Sequence, residues 1–315
     1  MERIGGIRPE SGAVMMEIRH QALRQFVAIS ATVFCAGVLH AQSTFDPQRS
    51  WSWAPNIGWV DWRPSEEYGA VIGEYVCSGY LWAPNAGWIH LGDGEPADGI
   101  AYSNASGEDY GVNMKERGRL RGLAWAPNIG WVVFHERGDP RVNLATGAMA
   151  GYAWIPTAGW LLLGGSESDD RGAAALAIAP GADGDGDGIP DAWKLRYVED
   201  IQSLSASKTA PRGDMTNRQA YLAGVSPLDP QDRFEITRIE KRGIEGSDGV
   251  DLEWTGGANR VFQIRFSEDL SDWKKIGPER IASGEDNRVQ ITISDDLPDT
   301  GFFRVEARLP FNFEE

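Results

Sequence analysis
The sequence predicts a mainly β protein in three parts. The first is an antiparallel β repeat domain of barrel- or roll-like form, the second a short helical linker built on an Asp-rich loop, the third a C-terminal β-sandwich. Three observations carry this. A Trp-flanked turn motif recurs four times between residues 53 and 160, an alternating Asp-Gly run stands at 183–188, and period-two alternation fills residues 231–310. The 315 residues, 42% of them hydrophobic, suffice for several domains with cores of their own.

The N-terminus reads as a targeting segment. Phe26 to Leu39 is an apolar run, with Arg19, His20 and Arg24 ahead of it and His40-Ala41 after it. A basic region, a short apolar core and a small residue before a cut define a secretory signal peptide. We expect residues 1–41 to be removed between Ala41 and Gln42, with a start extended upstream of Met15-Met16. The run is too short to span a bilayer comfortably. Thr32-Val33-Phe34 lacks the small residue that a lipid-attached Cys35 needs in front of it. No later stretch is apolar enough to anchor the chain, so the expected location is secreted, extracellular or periplasmic, with no transmembrane segment after cleavage.

A formal charge of −16 argues against nucleic acid or an anionic membrane as the partner, since both need a positive face. Two cysteines exclude a disulfide scaffold and any multi-thiolate metal site.

Residues 42–166 form the repeat domain. WAPNIGW stands at 53–59 and 125–131, WAPNAGW at 82–88 and WIPTAGW at 154–160. Each copy reads as a β-hairpin. Pro55, Pro84, Pro127 and Pro156 preset φ for the first corner of a type I turn, and the Asn or Thr that follows suits the second. Gly58, Gly87, Gly130 and Gly159 then take positive φ and start the return strand. In the strand before the turn, Leu120, Gly122 and Ala124 alternate with Leu123 and Trp125. Both faces are apolar or small, so the strands are expected to be covered on both sides, in a closed stack of three-stranded units. The expected role of the paired Trp residues is to form the hairpin core. The alternative is a row of rings that stacks on an extended glycan, with Trp51 and Trp62, which break the pattern, as the better candidates for it. Cys77 takes the slot of Leu120 and Met149 and reads as a small buried hydrophobe.

After a linker at 167–182, residues 183–194 read DGDGDGIPDAWK. Asp183, Asp185 and Asp187 stand at positions 1, 3 and 5, Gly188 at 6 and Asp191 at 9, which is EF-hand spacing for calcium. The Ile189 backbone carbonyl would complete the metal set of Asp183, Asp185, Asp187, Ile189 and Asp191. A helix is expected over about 190–198, with Pro190 as its first residue. Position 12, ordinarily a bidentate acid, is Lys194, so affinity should lie at the weak end, roughly 10⁻⁴ to 10⁻³ M. Calcium would then set the angle between the two β parts.

DGDGDGIPDAW followed by MTNRQAYLAGVSPLDP resembles the paired thrombospondin type-3-like, dockerin-like calcium repeats of large secreted bacterial proteins. On that resemblance the linker module covers 183–230. Its second half has lost its ligands, with Thr209, Pro211 and Gly213 in the places of the three Asp. The second helix survives, because Thr216 and Gln219 make a capping box and Gly224 stops it. The pattern of VFQIRFSEDLSDW, within 231–310, looks like the fibronectin-III-like module that follows such repeats. Phe262, Ile264 and Phe266 are expected to face one way, and Val261, Gln263 and Arg265 the other. The Trp hairpins likewise look like WxxNxGW repeats found ahead of them. The resemblance implies architecture and no catalytic role.

No GxSxG, HExxH or phosphate loop occurs. After the targeting segment, His90 and His135 are the only histidines and form no metal-spaced pair. The expectation is an exported, non-enzymatic, calcium-binding structural or adhesion protein of the cell surface or matrix, whose partners would be polysaccharide or other surface proteins. The alternative is a carbohydrate-binding protein that uses the Trp-rich domain, and a third reading is a hydrolase with an unrecognised carboxylate pair. Surface-placed, coplanar Trp rings would favour the second, fully buried rings the first.

Overall fold
The computed structural model describes residues 43–65, 68–165, 172–244, 247–282, 288–293, 298 and 300–310; the expected targeting segment, 1–41, lies outside them. The chain is mainly β, as expected. The Trp repeats form β1 (Trp51–Ala54), β2 (Gly58–Asp61), β3 (Ala70–Ile72), β4 (Cys77–Ala83), β5 (Gly87–His90), β6 (Val112–Lys115), β7 (Arg119–Ala126), β8 (Gly130–Phe134), β9 (Arg141–Val142), β10 (Met149–Ile155) and β11 (Gly159–Gly164). Four hairpins, β1–β2, β4–β5, β7–β8 and β10–β11, join side by side, and β11 returns to β1. The result is a closed antiparallel barrel of eight strands. Strands β3, β6 and β9 lie outside this ring and pair with β4, β7 and β10, giving three of the hairpins a third strand.

Each turn is built as its residues dictate. Gly58, Gly87 and Gly130 sit at φ 78° and Gly159 at 91°, the left-handed region that lets the return strand begin directly after the corner. Backbone hydrogen bonds Ala86 N–H to Ala83 O and Ala158 N–H to Ile155 O close the corners.

The barrel interior is stacked in layers of four, one residue from each hairpin. Ile57, Ala86, Ile129 and Ala158 close the turn end, and Ala54, Ala83, Ala126 and Ile155 stand just before the turns. Val60, Ile89, Val132 and Leu161 make the next, and Trp62, Leu91, Phe134 and Leu163 the one beyond. An eight-stranded barrel is just wide enough for side chains of this size. Eight indoles cannot fit there, and alternation then places them outside. This corrects the expectation that the paired Trp form the hairpin core and that both strand faces are covered. Trp53, Trp59, Trp88, Trp125 and Trp160 are all exposed, Trp59 at 57%, whereas Trp62, a candidate under the alternative glycan reading, is fully buried. Its indole N–H donates to Ser52 Oγ at 2.8 Å. Cys77 is buried as expected, and burial pushes its thiol up to about 12.

The described part of the stretch expected as a linker packs onto the barrel. Ala173, Ala175 and Ile178 join its core, and Ala175 bridges to Phe45. The helical module follows, with α1 (Asp191–Leu195) and α2 (Asn217–Ala223). Pro190 is the residue before the first helix rather than its first member, and that helix stops at Leu195, short of the expected 198. The second is capped as read: Thr216 and Gln219 bond reciprocally, and Gly224 ends it at φ 71°. Trp193 packs edge-on against Tyr221, with centroids 5.7 Å apart.

The C-terminal part has β12 (Ile236–Ile244), β13 (Ser247–Thr255), β14 (Val261–Ser267), β15 (Lys274–Ile281), β16 (Arg288–Ile293) and β17 (Phe302–Arg308). They form two three-stranded sheets, β12-β13-β16 and β15-β14-β17. Phe262, Ile264 and Phe266 enter the sandwich core with Leu252 and Trp254. The neighbouring Val261 belongs instead to the hydrophobic cluster of the barrel. The two β parts thus touch directly, through apolar packing and a buried ion pair of Arg260 with Glu74.

Candidate functional site
The Asn of the repeat has a partner in the adjacent hairpin. Asn56 Nδ2 donates to Ala158 O at 2.8 Å, Asn85 to Ile57 O at 3.2 Å and Asn128 to Ala86 O at 3.2 Å. Thr157 Oγ1 completes the circuit by donating to Ile129 O at 2.7 Å. Each side chain reaches the last corner residue of the preceding turn, so four turns are tied into a closed ring at one end of the barrel. The pairing between hairpins follows the same repeat. Asp61 faces Trp82, His90 faces Trp125, Val133 faces Trp154 and Leu162 faces Trp53.

This register lines the outer wall with aromatic rings. Within a hairpin the two Trp stand directly opposite and meet steeply tilted. Trp82–Trp88, Trp125–Trp131 and Trp154–Trp160 have centroids 4.9, 4.7 and 5.0 Å apart with planes near 60°. Such pairs clamp a hairpin and leave one face of each pair to solvent. Between the second and third hairpins the rings run on without a break. Tyr68 meets Trp88, which meets Tyr80; Tyr80 stacks on His90 at 4.6 Å; His90 meets Tyr110, and Tyr110 meets Trp131 at 5.2 Å. A smaller group, Tyr152, Trp154, Trp160 and His135, continues on the fourth hairpin.

His90 is the hinge of the larger belt. Its Nδ1 shares a hydrogen bond of 2.7 Å with the Tyr110 hydroxyl. Burial holds its pKa below the ordinary value, outweighing nearby Asp93, so the belt is uncharged at neutral pH. Of the two rings expected to suit a glycan, Trp51 is exposed and Trp62 is not. Sequence reasoning missed Tyr68, Tyr80 and Tyr110; the signal was their placement around the second and third repeats, where each sits beside a Trp hairpin.

The aspartate loop is the second candidate. Carboxylate oxygens of Asp183, Asp185 and Asp187 lie within 4.8 Å of one another. Asp183 accepts from the Asp187 and Gly188 backbone N–H groups at 3.2 and 2.8 Å, which curls the loop with Gly188 at φ 83°. Asp191 Oδ2 accepts from Gly184 N–H at 2.9 Å, while its Oδ1 is buried with no hydrogen-bond partner. The Ile189 side chain is fully buried in the linker core.

The residues present do not fit a calcium ion as they stand. Lys194, fully buried, places Nζ 2.6 Å from Asp185 Oδ1 and 3.0 Å from Asp187 Oδ1. The other oxygen of Asp187 accepts from Ala206 N–H at 2.7 Å, and that of Asp185 from Gln202 Nε2 at 3.3 Å. The hydrogen bond from Lys194 holds the Asp185 carboxyl below the usual carboxylate range. An ion at the centre of the three Asp would meet an ammonium already bonded to two of them.

No family model, no curated protein and no solved structure matches the chain. Among the described residues no helix is long and apolar enough to cross a membrane.

Proposed function
We propose that this is an exported, non-catalytic adhesion protein whose barrel wall binds an extended, neutral glycan. The observation that carries the proposal is the unbroken run of rings from Tyr68 through Trp88, Tyr80, His90 and Tyr110 to Trp131 and Trp125. Contiguous exposed aromatic surface is costly to leave in water and marks a place of interaction. Ring faces carry partial negative charge and attract the polarised C–H faces of sugar rings, while phenol hydroxyls and imidazole hydrogen-bond to sugar hydroxyls. A protein of net charge −16 repels a polyanion, which turns the choice within glycans toward neutral ones.

Export rests on the basic and apolar pattern of residues 1–41. The sandwich, fixed to the barrel, would then serve as the rigid mount that presents the belt. The test is affinity electrophoresis of the chain from Gln42 onward through native gels cast with a panel of neutral polysaccharides. Retardation by at least one, absent in Tyr80→Ala/Trp88→Ala, supports the proposal. Equal mobility of wild type and variant in every gel overturns it.

A further inference from the structure
We infer that the helical module carries its own cation: Lys194 occupies the place where a metal-binding loop would hold its ion between Asp185 and Asp187, and the module folds without metal. Lys194 is fully buried, and its ammonium lies between Asp185 and Asp187 at 2.6 and 3.0 Å. A free ion is bound for its charge and for its ability to gather oxygens. An ammonium delivers one positive charge and three donors to the same oxygens, and its tether removes the entropic cost of capturing a ligand from solution. Position 12 of the loop normally sends in two more oxygens. Here the same position, on the same turn of helix, sends in the cation.

The second loop, which has no Asp at its three ligand places, is held in another way. Arg212, almost fully buried, turns inward and grips Asp214 with Nε at 2.6 Å and Nη2 at 3.2 Å. Its Nη1 donates to the carbonyls of Ser226 and Asp232 at 3.0 and 2.5 Å. Asp214 lies in the second loop and the two carbonyls lie beyond α2, so Arg212 ties the second loop to the chain that follows the helix. Thr209, Pro211 and Gly213 offer no further carboxylate to compete for it. The first loop has therefore exchanged a diffusible ion for a tethered one, and it keeps its curl. Held this way, α1 keeps Trp193 against Tyr221, and the module stays docked between barrel and sandwich whatever the calcium level outside the cell.

Thermal unfolding and isothermal titration of the chain from Gln42 onward decide this. The wild type should melt at the same temperature in calcium and in chelator, and calcium should give no binding heat. Lys194→Glu should melt lower than wild type in chelator and recover in calcium, with binding heat at about one site where the wild type shows none. Lys194→Met, in case the Glu variant fails to fold, should also lose stability in chelator, because the Asp cluster is left without its counter-charge. Stoichiometric calcium binding that raises the melting temperature of the wild type would overturn the inference. So would a Lys194→Met protein as stable in chelator as its parent.

Discussion
Arg260 of the sandwich donates to Glu74 of the barrel at 3.0 Å, with both side chains buried, across a sequence separation of 186 residues. The same glutamate accepts from the Tyr221 hydroxyl at 2.6 Å, and Arg260 also donates to the Tyr221 carbonyl, so barrel, helical module and sandwich meet at one point. Gly224 and Gly257 allow it, because a Cβ on either would lie within 2.8 Å of the other's backbone.

Replacing Glu74 with Leu leaves a buried guanidinium without its counter-charge. Removal of one partner from a buried pair costs about 3–5 kcal/mol. Scanning calorimetry of Glu74→Leu should therefore show the junction failing first, with barrel and sandwich melting in separate steps. One transition at the parent temperature would show that the junction does not couple them.

The placement of the Trp residues inverts a simple expectation about which of them matters for folding. Trp62 is enclosed beside Phe45, with ring centroids 4.9 Å apart, so Trp62→Ala should cost about 3–5 kcal/mol. Trp125 is 36% exposed and loses mainly its edge contact with Trp131. Trp125→Ala should cost about 1–2 kcal/mol. Urea unfolding of the two variants compares them directly; a larger loss at Trp125 would contradict the barrel interior described above.

The ring of turns predicts a specific rescue. Asn128→Ala removes the donor to Ala86 O and should cost about 1 kcal/mol. Asn128→Thr should restore most of it, because Thr157 performs the same task in the fourth turn. Equal losses for Ala and Thr would mean that the Asn serves the corner conformation alone.

Much of this was legible in the sequence, and the parts that were not share a cause. Turn corners, positive-φ glycines, the capping box at Thr216 and the alternation of Phe262, Ile264 and Phe266 are local, and each followed from spacing. Alternation in the Trp strands was also visible, but alternation alone does not say which face is the core. That choice was made by closure: four hairpins around one axis admit Ala54 and Ala83 near the turns and exclude Trp53 and Trp82. Lys194 was legible as a missing ligand, not as a replacement cation, because its reach back to Asp185 depends on the helix that carries it. The meeting of Glu74 with Arg260 has no local signature at all.

Acid should act on the belt through His90. Its folded pKa is lowered by burial, so the unfolded chain takes up the proton first as pH falls. Stability should fall as pH drops below the unfolded value of about 6.5. His90→Gln should remove that component, and the difference in melting temperature between the two proteins from pH about 7 to about 5 isolates it. Parallel pH profiles would show that His90 does not titrate on unfolding in this range.

The glycan proposal stands or falls on whether the exposed rings bind while the barrel stays folded. The deciding measurement is isothermal titration of wild type and Trp88→Ala with the neutral polysaccharide that retards the wild type most. Trp88 joins Tyr68, Tyr80 and Trp82 in the belt yet is 43% exposed, so its loss should spare the fold and remove a stacking surface. Affinity at least about tenfold weaker, equivalent to about 1.4 kcal/mol, with cooperative unfolding retained, is the predicted result. Unchanged affinity in a folded Trp88→Ala protein would contradict it.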